Sequence, residues 1–149
     1  MQCSQIMKSD IECVSPETSV REAARKMRDH QIGFLPVCDE AMRPIGTLTD
    51  RDIAIRAVAE EMSLDAPVEA CMTWDVVSCG ASDDVEEARE LMERYQVSRI
   101  ICSGEQGRIE GIISLSDIVD IDEGSGAQTL RRVSQRELRS DGRYFFPSL

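Results

Sequence analysis

An internal repeat with an offset of 65 residues constrains the fold more than any other feature of this chain. The stretch Gly46–Asp52 reads GTLTDRD, and Gly111–Asp117 reads GIISLSD. Around these stretches, apolar positions match apolar positions without a gap, as where Met27 falls on Met92. A repeated unit of this size buries one face against a neighbouring copy. The sequence therefore predicts two related halves with pseudo-two-fold symmetry and paired clefts.

Within each repeat the pattern predicts the order β-α-β-β-α, which places the chain in the α/β class. Ser19 has the position of a helix cap, and Glu22 three residues later completes a capping-box pattern. Thr49 and Ser114 are predicted to begin the second helix of each repeat. The strands are predicted at 11–14, 33–38 and 44–48 in the first repeat, and at 97–102 and 109–113 in the second.

The domain organisation follows from where the repeat ends. We predict repeat 1 at residues 1–62, repeat 2 at 63–121, and a C-terminal helix and tail at 122–149. The polar stretch 122–126 is interpreted as a flexible joint. The helix after it is expected at 127–139, with Leu130, Val133 and Leu138 on its apolar side, followed by a tail at 140–149.

Charge excludes one broad class of function. The 149 residues include 28 acidic and 17 basic side chains, and the formal net charge is -11. An acidic surface repels phosphate backbones, so we expect no general nucleic-acid binding. No stretch is apolar for long enough to span a bilayer, and residues 1–8 have no apolar core of a signal peptide. We therefore expect a cytoplasmic protein without membrane association.

The repeated turn combines three residue types that suit a small anionic ligand. The hydroxyl residues Thr49 and Ser114 stand at helix starts, where free backbone N–H groups favour an anion. Asp52 and Asp117 follow three positions later, and a carboxylate accepts hydrogen bonds from hydroxyl groups. The same pairs also fit a capping box that needs no ligand and stabilises a helix by ~1 kcal/mol. Both interpretations stay open at this point.

The doubled β-α-β-β-α unit with the pattern G-x-x-[TS]-x-x-D resembles the CBS domain, and the tandem pair resembles a Bateman module. Ile32–Cys38 and Thr49–Ile53 carry much of this resemblance, which covers roughly residues 6 to 121. It implies a non-catalytic regulatory module that binds AMP, ATP, NADH or S-adenosylmethionine. It also implies a homodimer that acts on an unknown protein effector, with an adenine nucleotide as regulatory ligand and no obligatory cofactor.

The resemblance implies that the aspartate binds the ribose hydroxyls and that the Thr or Ser lies near the phosphate. The glycines of the turn are expected to allow close approach of backbone or ligand, and nearby arginines to add positive charge. The candidate ligand-binding residues are Gly46, Thr49, Arg51, Asp52, Arg99, Gly111, Ser114 and Asp117.

Cysteine placement suggests a second hypothesis. Six cysteines occur without C-x-x-C spacing, so we expect reduced, mostly buried thiols. Cys79 and Cys102 match Val14 and Val37 in the other repeat, which predicts core positions. By contrast, Cys13 and Cys38 match serines and are expected on the opposite strand face, close enough to bridge. The alternative function is therefore a ligand-independent adaptor that is redox- or metal-responsive through this pair.

No constellation for catalysis is evident. His30 is the only histidine, which excludes a histidine-based metal cluster or triad within one chain. No nucleophile has a plausible base, and no glycine-rich phosphate loop is present. We therefore predict that the protein is not an enzyme, with no catalytic residues and no metal site beyond the tentative thiol pair.

Overall fold

The computed structural model describes residues 1–121 and 123–134, and these form two compact units. The first-repeat unit comprises Glu12–Val76, whereas the second-repeat unit comprises Met1–Ile11 together with the described residues from Val77 onward. The first eleven residues thus pack with the second repeat, although they precede the first in sequence. The boundaries 1–62 and 63–121 remain a prediction about the sequence repeat.

The first-repeat unit contains one long helix and a two-stranded sheet. Its elements are α1 (Val20–His30), β1 (Phe34–Cys38), β2 (Pro44–Thr49), α2 (Asp50–Asp52), a π-helical continuation (Ile53–Val58) and a 3-10 turn (Val68–Ala70). Strands β1 and β2 are antiparallel, and Leu35 lies opposite Leu48. The predicted strand at 11–14 is reduced to a single parallel bridge between Val14 and Val37.

Local sequence explains the position of α1. The Ser19 side chain accepts a hydrogen bond from the Glu22 N–H, as the capping pattern predicts. The helix ends at Gln31, which has a φ of 54° in the left-handed region. Val20, Ala23 and Met27 are buried along one face. The predicted cap and apolar stripe of this helix are confirmed.

The second-repeat unit repeats this order with a fuller sheet. Its elements are β3 (Ser78–Gly80), α3 (Val85–Tyr95), β4 (Arg99–Ser103), β5 (Ile109–Ser114), α4 (Leu115–Ile121) and α5 (Glu123–Ser134), with a 3-10 turn at Cys3–Gln5. Strand β4 lies between β3, which is parallel to it, and β5, which is antiparallel. Asp84 caps α3 by accepting from the Glu86 N–H. The predicted α/β class with two β-α-β-β-α repeats is confirmed.

The C-terminal helix differs from its prediction in two respects. It begins at Glu123, so the flexible joint predicted over 122–126 is wrong for the described part of that stretch. Val133 is buried as predicted, but Leu130 is half-exposed, and Thr129 takes the buried position instead. The Thr129 hydroxyl donates to Glu93 of α3 at 3.0 Å, which explains how a polar residue is tolerated there. The predicted Leu138 and the tail at 140–149 lie outside the described residues.

A membrane-spanning helix would need a long apolar stretch. Among the described residues, no helix is long and apolar enough to cross a bilayer.

Candidate functional site

The first turn, Gly46–Asp52, forms a reciprocal capping box where β2 passes into α2. The Thr49 Oγ1 accepts the Asp52 N–H at 3.0 Å, and the Thr49 N–H donates to Asp52 Oδ2 at 3.0 Å. Each residue thus satisfies a backbone donor of the other. The capping alternative is realised at this turn, and it uses one of the two carboxylate oxygens.

The second oxygen of Asp52 lies in an unusual environment. The side chain is fully buried, and Oδ1 has no hydrogen-bond partner within the described part of the chain. The Arg56 Nε lies 3.9 Å from Asp52 Oδ1. The Thr73 hydroxyl lies near enough to favour the charged form of Asp52, although this hydroxyl also has no hydrogen-bond partner within the described residues. Burial raises the pKa of Asp52, although the hydrogen bonds with Thr49 oppose this. The first turn therefore holds a closed, under-satisfied carboxyl group.

The second turn, Gly111–Asp117, holds its aspartate differently. Both the Ser114 N–H and the Ser114 hydroxyl donate to Asp117 Oδ2 at 2.7 Å. The other oxygen, Oδ1, is 3.4 Å from the Lys8 Nζ, and the aspartate side chain is 14% exposed. Burial alone would raise the pKa of Asp117, but the bonds from Ser114 and the charge of Lys8 outweigh it and lower the pKa. This carboxylate is ionised and reachable.

The glycines of both turns make room for methionines of the chain itself. A Cβ on Gly46 would lie 2.7 Å from the Met72 Sδ and 2.9 Å from the Thr73 carbonyl oxygen. A Cβ on Gly111 would lie 2.5 Å from the Met7 Sδ. Met7 and Met72 are themselves repeat partners, so the same packing occurs in each unit. Close approach of a methionine side chain accounts for both glycines, and their role toward a ligand stays a prediction.

The two predicted arginines lie beside different turns. Arg51 is half-buried in α2, directly before Asp52, and its N–H donates to Asp50 Oδ1 at 2.9 Å. Arg99 is exposed and is paired with Ser114 across the β4–β5 ladder. Each turn therefore has a predicted arginine beside it, in addition to Arg56 at the first turn and Lys8 at the second.

Sequence reasoning missed Lys8, which contacts the second aspartate from far away in the chain. Lys8 and Ile112 form an isolated bridge, with backbone hydrogen bonds of 2.9 and 3.0 Å. Its repeat partner is Thr73, which bridges Thr47 in the same way. The signal that could have identified Lys8 is the 65-residue repeat offset, applied to residues outside the motif.

Cys13 and Cys38 lie side by side in the first-repeat unit. The Cys38 N–H donates to the Val14 carbonyl at 2.9 Å, which fixes the two short segments next to each other. A hydrogen bond between the two thiols, together with the charge of Lys26, lowers the pKa of Cys13, and the same thiol contact raises that of Cys38. Both thiols are free in this structure. Their proximity fits the sequence hypothesis, whereas a bridge or metal between them stays a prediction.

Comparison with known proteins places this geometry in a family. The family model of the CBS domain matches twice, at residues 3–59 and 68–124. The chain therefore belongs to the CBS domain family, and its two repeats form a CBS pair, or Bateman module. Stand-alone proteins of this family are generally regulatory.

Individual relatives agree with this class. The CBS domain-containing protein YhcV of Bacillus subtilis is 31% identical over 134 residues, which are 89% of this chain and 94% of that protein. The crystal structure of Hypoxic Response Protein I with two coordinated zinc ions has 32% identity and a TM-score of 0.72, and covers 80% of this chain and 98% of its own. The CBS domain pair of protein MJ0100, in complex with 5-methylthioadenosine and S-adenosyl-L-methionine, has 26% identity and a TM-score of 0.73, covering 83% and 97%.

Proposed function

We propose that this protein is a non-catalytic sensor whose two turns bind an adenosine-containing ligand such as AMP, ATP, NADH or S-adenosylmethionine. The observation that carries the proposal is the Ser114–Asp117 pair, which leaves an ionised and partly exposed carboxylate oxygen at a helix start. The similarity to a CBS pair that was solved with methylthioadenosine and S-adenosyl-L-methionine supports an adenosine ligand.

The second turn has the properties that a ribose site needs. Asp117 Oδ2 already accepts two hydrogen bonds from Ser114, whereas among the described residues Oδ1 has the exposed Lys8 ammonium as its one partner. A ribose hydroxyl can donate to this oxygen, and Lys8 can move to a ligand phosphate without leaving a buried charge. Arg99 lies next to Ser114 and adds further positive charge.

The first turn requires a rearrangement before it can bind. Asp52 Oδ1 is buried 3.9 Å from the Arg56 Nε, and the Arg56 Nη1 donates to the Met72 carbonyl at 3.2 Å. The groups packed around this oxygen must move before a ribose hydroxyl can reach it, and moving Arg56 would take a cation away from it. We therefore propose that the second turn binds more tightly, and that the first is occupied at higher ligand concentration.

Regulation then follows from differential affinity. A ligand that contacts the two turns favours whichever arrangement of the repeats, or of two copies of the chain, holds the contacts best. A protein effector would respond to that arrangement. We expect a homodimer, because apolar side chains on helical segments are exposed, as at Val58 (60%) and Tyr95 (55%). Sedimentation equilibrium tests this, and a monomer at micromolar concentration would contradict it.

The binding experiment is a calorimetric titration of the purified chain with AMP, ATP, NADH and S-adenosylmethionine. Asp117→Asn keeps an oxygen for the Ser114 N–H but removes the charge, so we expect at least a tenfold loss of affinity, corresponding to about 1.4 kcal/mol. Asp84→Asn is the matched control, since Asp84 also caps a helix but is exposed and outside the turn. Absence of binding at millimolar ligand, or equal affinity in Asp117→Asn, would contradict the proposal.

A second candidate function is supported by the adjacent thiols. A ligand-independent adaptor that responds to oxidation or to metal through Cys13 and Cys38 would need two neighbouring thiols, and the mutual influence of these two on their pKa values supports this. The similarity to a protein solved with two coordinated zinc ions makes a metal worth testing. Thiol counting on the native, non-reduced protein distinguishes the states, because six free thiols would exclude a disulfide.

A further inference from the structure

A separate cluster of three cysteines lies in the core of the second-repeat unit. The Cys79 Sγ is 3.7 Å from both the Cys3 Sγ and the Cys102 Sγ, and all three sulfurs lie within 4.8 Å of one another. The residues are 0%, 7% and 0% exposed for Cys3, Cys79 and Cys102. They come from the 3-10 turn near the start of the chain and from directly paired positions of β3 and β4. Three sequence-distant segments thus converge on one point.

The first-repeat unit provides an internal comparison. At the repeat offset, Cys3, Cys79 and Cys102 correspond to Val68, Val14 and Val37. These valines are also buried, and Val14 and Val37 form the same parallel bridge that Cys79 and Cys102 form. Valine therefore meets the packing requirement at these positions. The second-repeat unit has thiols at all three, which packing does not require.

We propose that Cys3, Cys79 and Cys102 form a three-sulfur binding site for a thiophilic metalloid ion in the trivalent state, such as arsenic(III) or antimony(III). Soft thiolate ligands select soft ions. The Cys79 sulfur is in contact with both other sulfurs at 3.7 Å and all three lie within 4.8 Å, so one ion can reach all of them. This site is independent of the adenosine site.

Charge favours a trivalent ion over the common divalent one. The surroundings are apolar and include Ala81, Ile100 and Ile113. Within the part of the chain that the structure describes, Asp83 lies near Cys3 and Cys79, and its charge opposes further negative charge. Three thiolates around a trivalent ion form a neutral complex, whereas zinc would leave one negative charge and copper(I) two. A buried net charge without a partner is costly.

Coordination number points the same way. Structural zinc sites have four protein ligands. Among the described residues, no histidine, aspartate, glutamate or further cysteine joins the three sulfurs within metal-binding distance. Trivalent arsenic is satisfied by three sulfur ligands and keeps its lone pair.

The binding step balances without an oxidant. Arsenous acid, As(OH)₃, exchanges its three hydroxyl groups for three sulfurs: three S–H and three As–O bonds break, three As–S bonds form, and three waters leave. The three thiol protons and the three hydroxyl groups leave together as these waters. No net charge is created in the core.

Entry requires a local opening, and the structure provides a simple one. Cys3 belongs to a segment attached by the Cys3 N–H to the Asp83 carbonyl and by the Ser4 N–H to the Ala81 carbonyl, each at 2.8 Å. Short terminal segments detach at low free-energy cost. Detachment would expose Cys79 and Cys102 to the ion. Reattachment would then bring Cys3 back over the bound ion.

The test uses the full chain with Cys13→Ser and Cys38→Ser, because that pair can also bind arsenite. This leaves four thiols, of which Cys71 is outside the cluster. After incubation with sodium arsenite and desalting, we expect one arsenic per chain, one remaining titratable thiol, and three sulfur neighbours by X-ray absorption. Cys3→Val, Cys79→Val and Cys102→Val should each lower retention at least tenfold, whereas the control Cys71→Val should retain arsenic fully.

Folding of the variants is checked by thermal unfolding. Since valine occupies the equivalent positions of the first repeat, we expect the valine variants to remain folded. Retention of arsenic by the triple valine variant, fewer than three sulfur neighbours, or no arsenic on the folded parent would overturn the proposal. Tighter binding of zinc than of arsenite at the same three cysteines would overturn the assignment to a trivalent metalloid.

Discussion

Gly46→Ala tests whether the glycine of the first turn serves packing or ligand access. A Cβ there would meet the Met72 Sδ at 2.7 Å and the Thr73 carbonyl oxygen at 2.9 Å. That carbonyl accepts the Thr47 N–H at 2.8 Å, and the Thr73 N–H donates back at 2.9 Å. The new methyl group can be accommodated only if the segment around Thr73 moves away from β2.

The magnitude follows from these contacts. Overpacking a core position costs roughly 1–3 kcal/mol, and weakening two backbone hydrogen bonds costs up to about 1 kcal/mol each. Alanine is otherwise favoured over glycine in a strand by roughly 0.5–1 kcal/mol. We therefore expect Gly46→Ala to lower the free energy of unfolding by about 2–4 kcal/mol.

Gly111 provides a comparison in which a second substitution, at the neighbouring methionine, should restore more of the lost stability. The atoms that a Cβ on Gly111 would meet all belong to the Met7 side chain, which is only partly buried. Combining Gly111→Ala with Met7→Ala should recover about 1 kcal/mol of the loss. Combining Gly46→Ala with Met72→Ala should recover less, because the Thr73 carbonyl remains in place.

The assay is urea unfolding followed by circular dichroism, with calorimetric titration of AMP on each folded variant. Gly33→Ala is the control, since its Cβ would meet only the exposed Asp50 side chain, which can rotate away, and its cost should stay within about 0.5 kcal/mol. Unchanged stability of Gly46→Ala together with lost AMP binding would refute the packing explanation and support ligand access.

Three further predictions concern the caps and carboxyl groups. Burial raises the pKa of Asp52. Its favourable contribution to the free energy of unfolding is therefore complete below the unfolded-state pKa of about 3.9 and is lost as pH rises. Asp52→Asn should accordingly gain stability relative to wild type toward neutral pH. The pKa of Asp117 is lowered, so its favourable contribution to stability is present above about 3.9 and is lost as pH falls; Asp117→Asn should therefore lose stability relative to wild type toward neutral pH. Urea unfolding of both variants between pH 3 and 7, roughly the range over which carboxyl groups titrate, tests this pair of predictions. The same pH dependence of stability in the two variants would contradict the pair. Thr129→Val removes the bond to Glu93 and should cost about 1 kcal/mol, whereas an unchanged unfolding midpoint would show that α5 does not need it.

The fold was largely predictable because its signals are local. The Ser19 cap, the apolar stripe of α1 and the hydroxyl at each second helix start depend on neighbours within four residues. The repeat supported most elements a second time, whereas the strand predicted at 11–14 is only a single bridge and its counterpart β3 was predicted without bounds. Leu130 was misplaced because helical periodicity alone does not reveal that Glu93 provides a partner for a buried Thr129.

The site was only partly predictable because its decisive contacts are distant in sequence. The spacing of Thr49 and Asp52 is identical to that of Ser114 and Asp117, yet one aspartate is sealed and the other is reachable. Lys8 lies beside Asp117, whereas its repeat partner Thr73 lies near Asp52. No local sequence pattern connects Lys8 to Asp117. Cys3 was likewise interpreted as an ordinary thiol. At the repeat offset it matches the buried Val68, just as Cys79 and Cys102 match buried valines, and this shared pattern was the available signal.

The packing of the first eleven residues against the second repeat has a consequence for synthesis. These residues leave the ribosome well before the strands they join, which lie in the part of the unit that begins at Val77. The first-repeat unit, Glu12–Val76, is continuous and can fold as soon as it emerges, since domains generally fold as units during synthesis. The segment with Met7 and Lys8 must therefore stay unattached until β5 is complete. The second-repeat unit is thus completed only when this early segment joins strands that are made later.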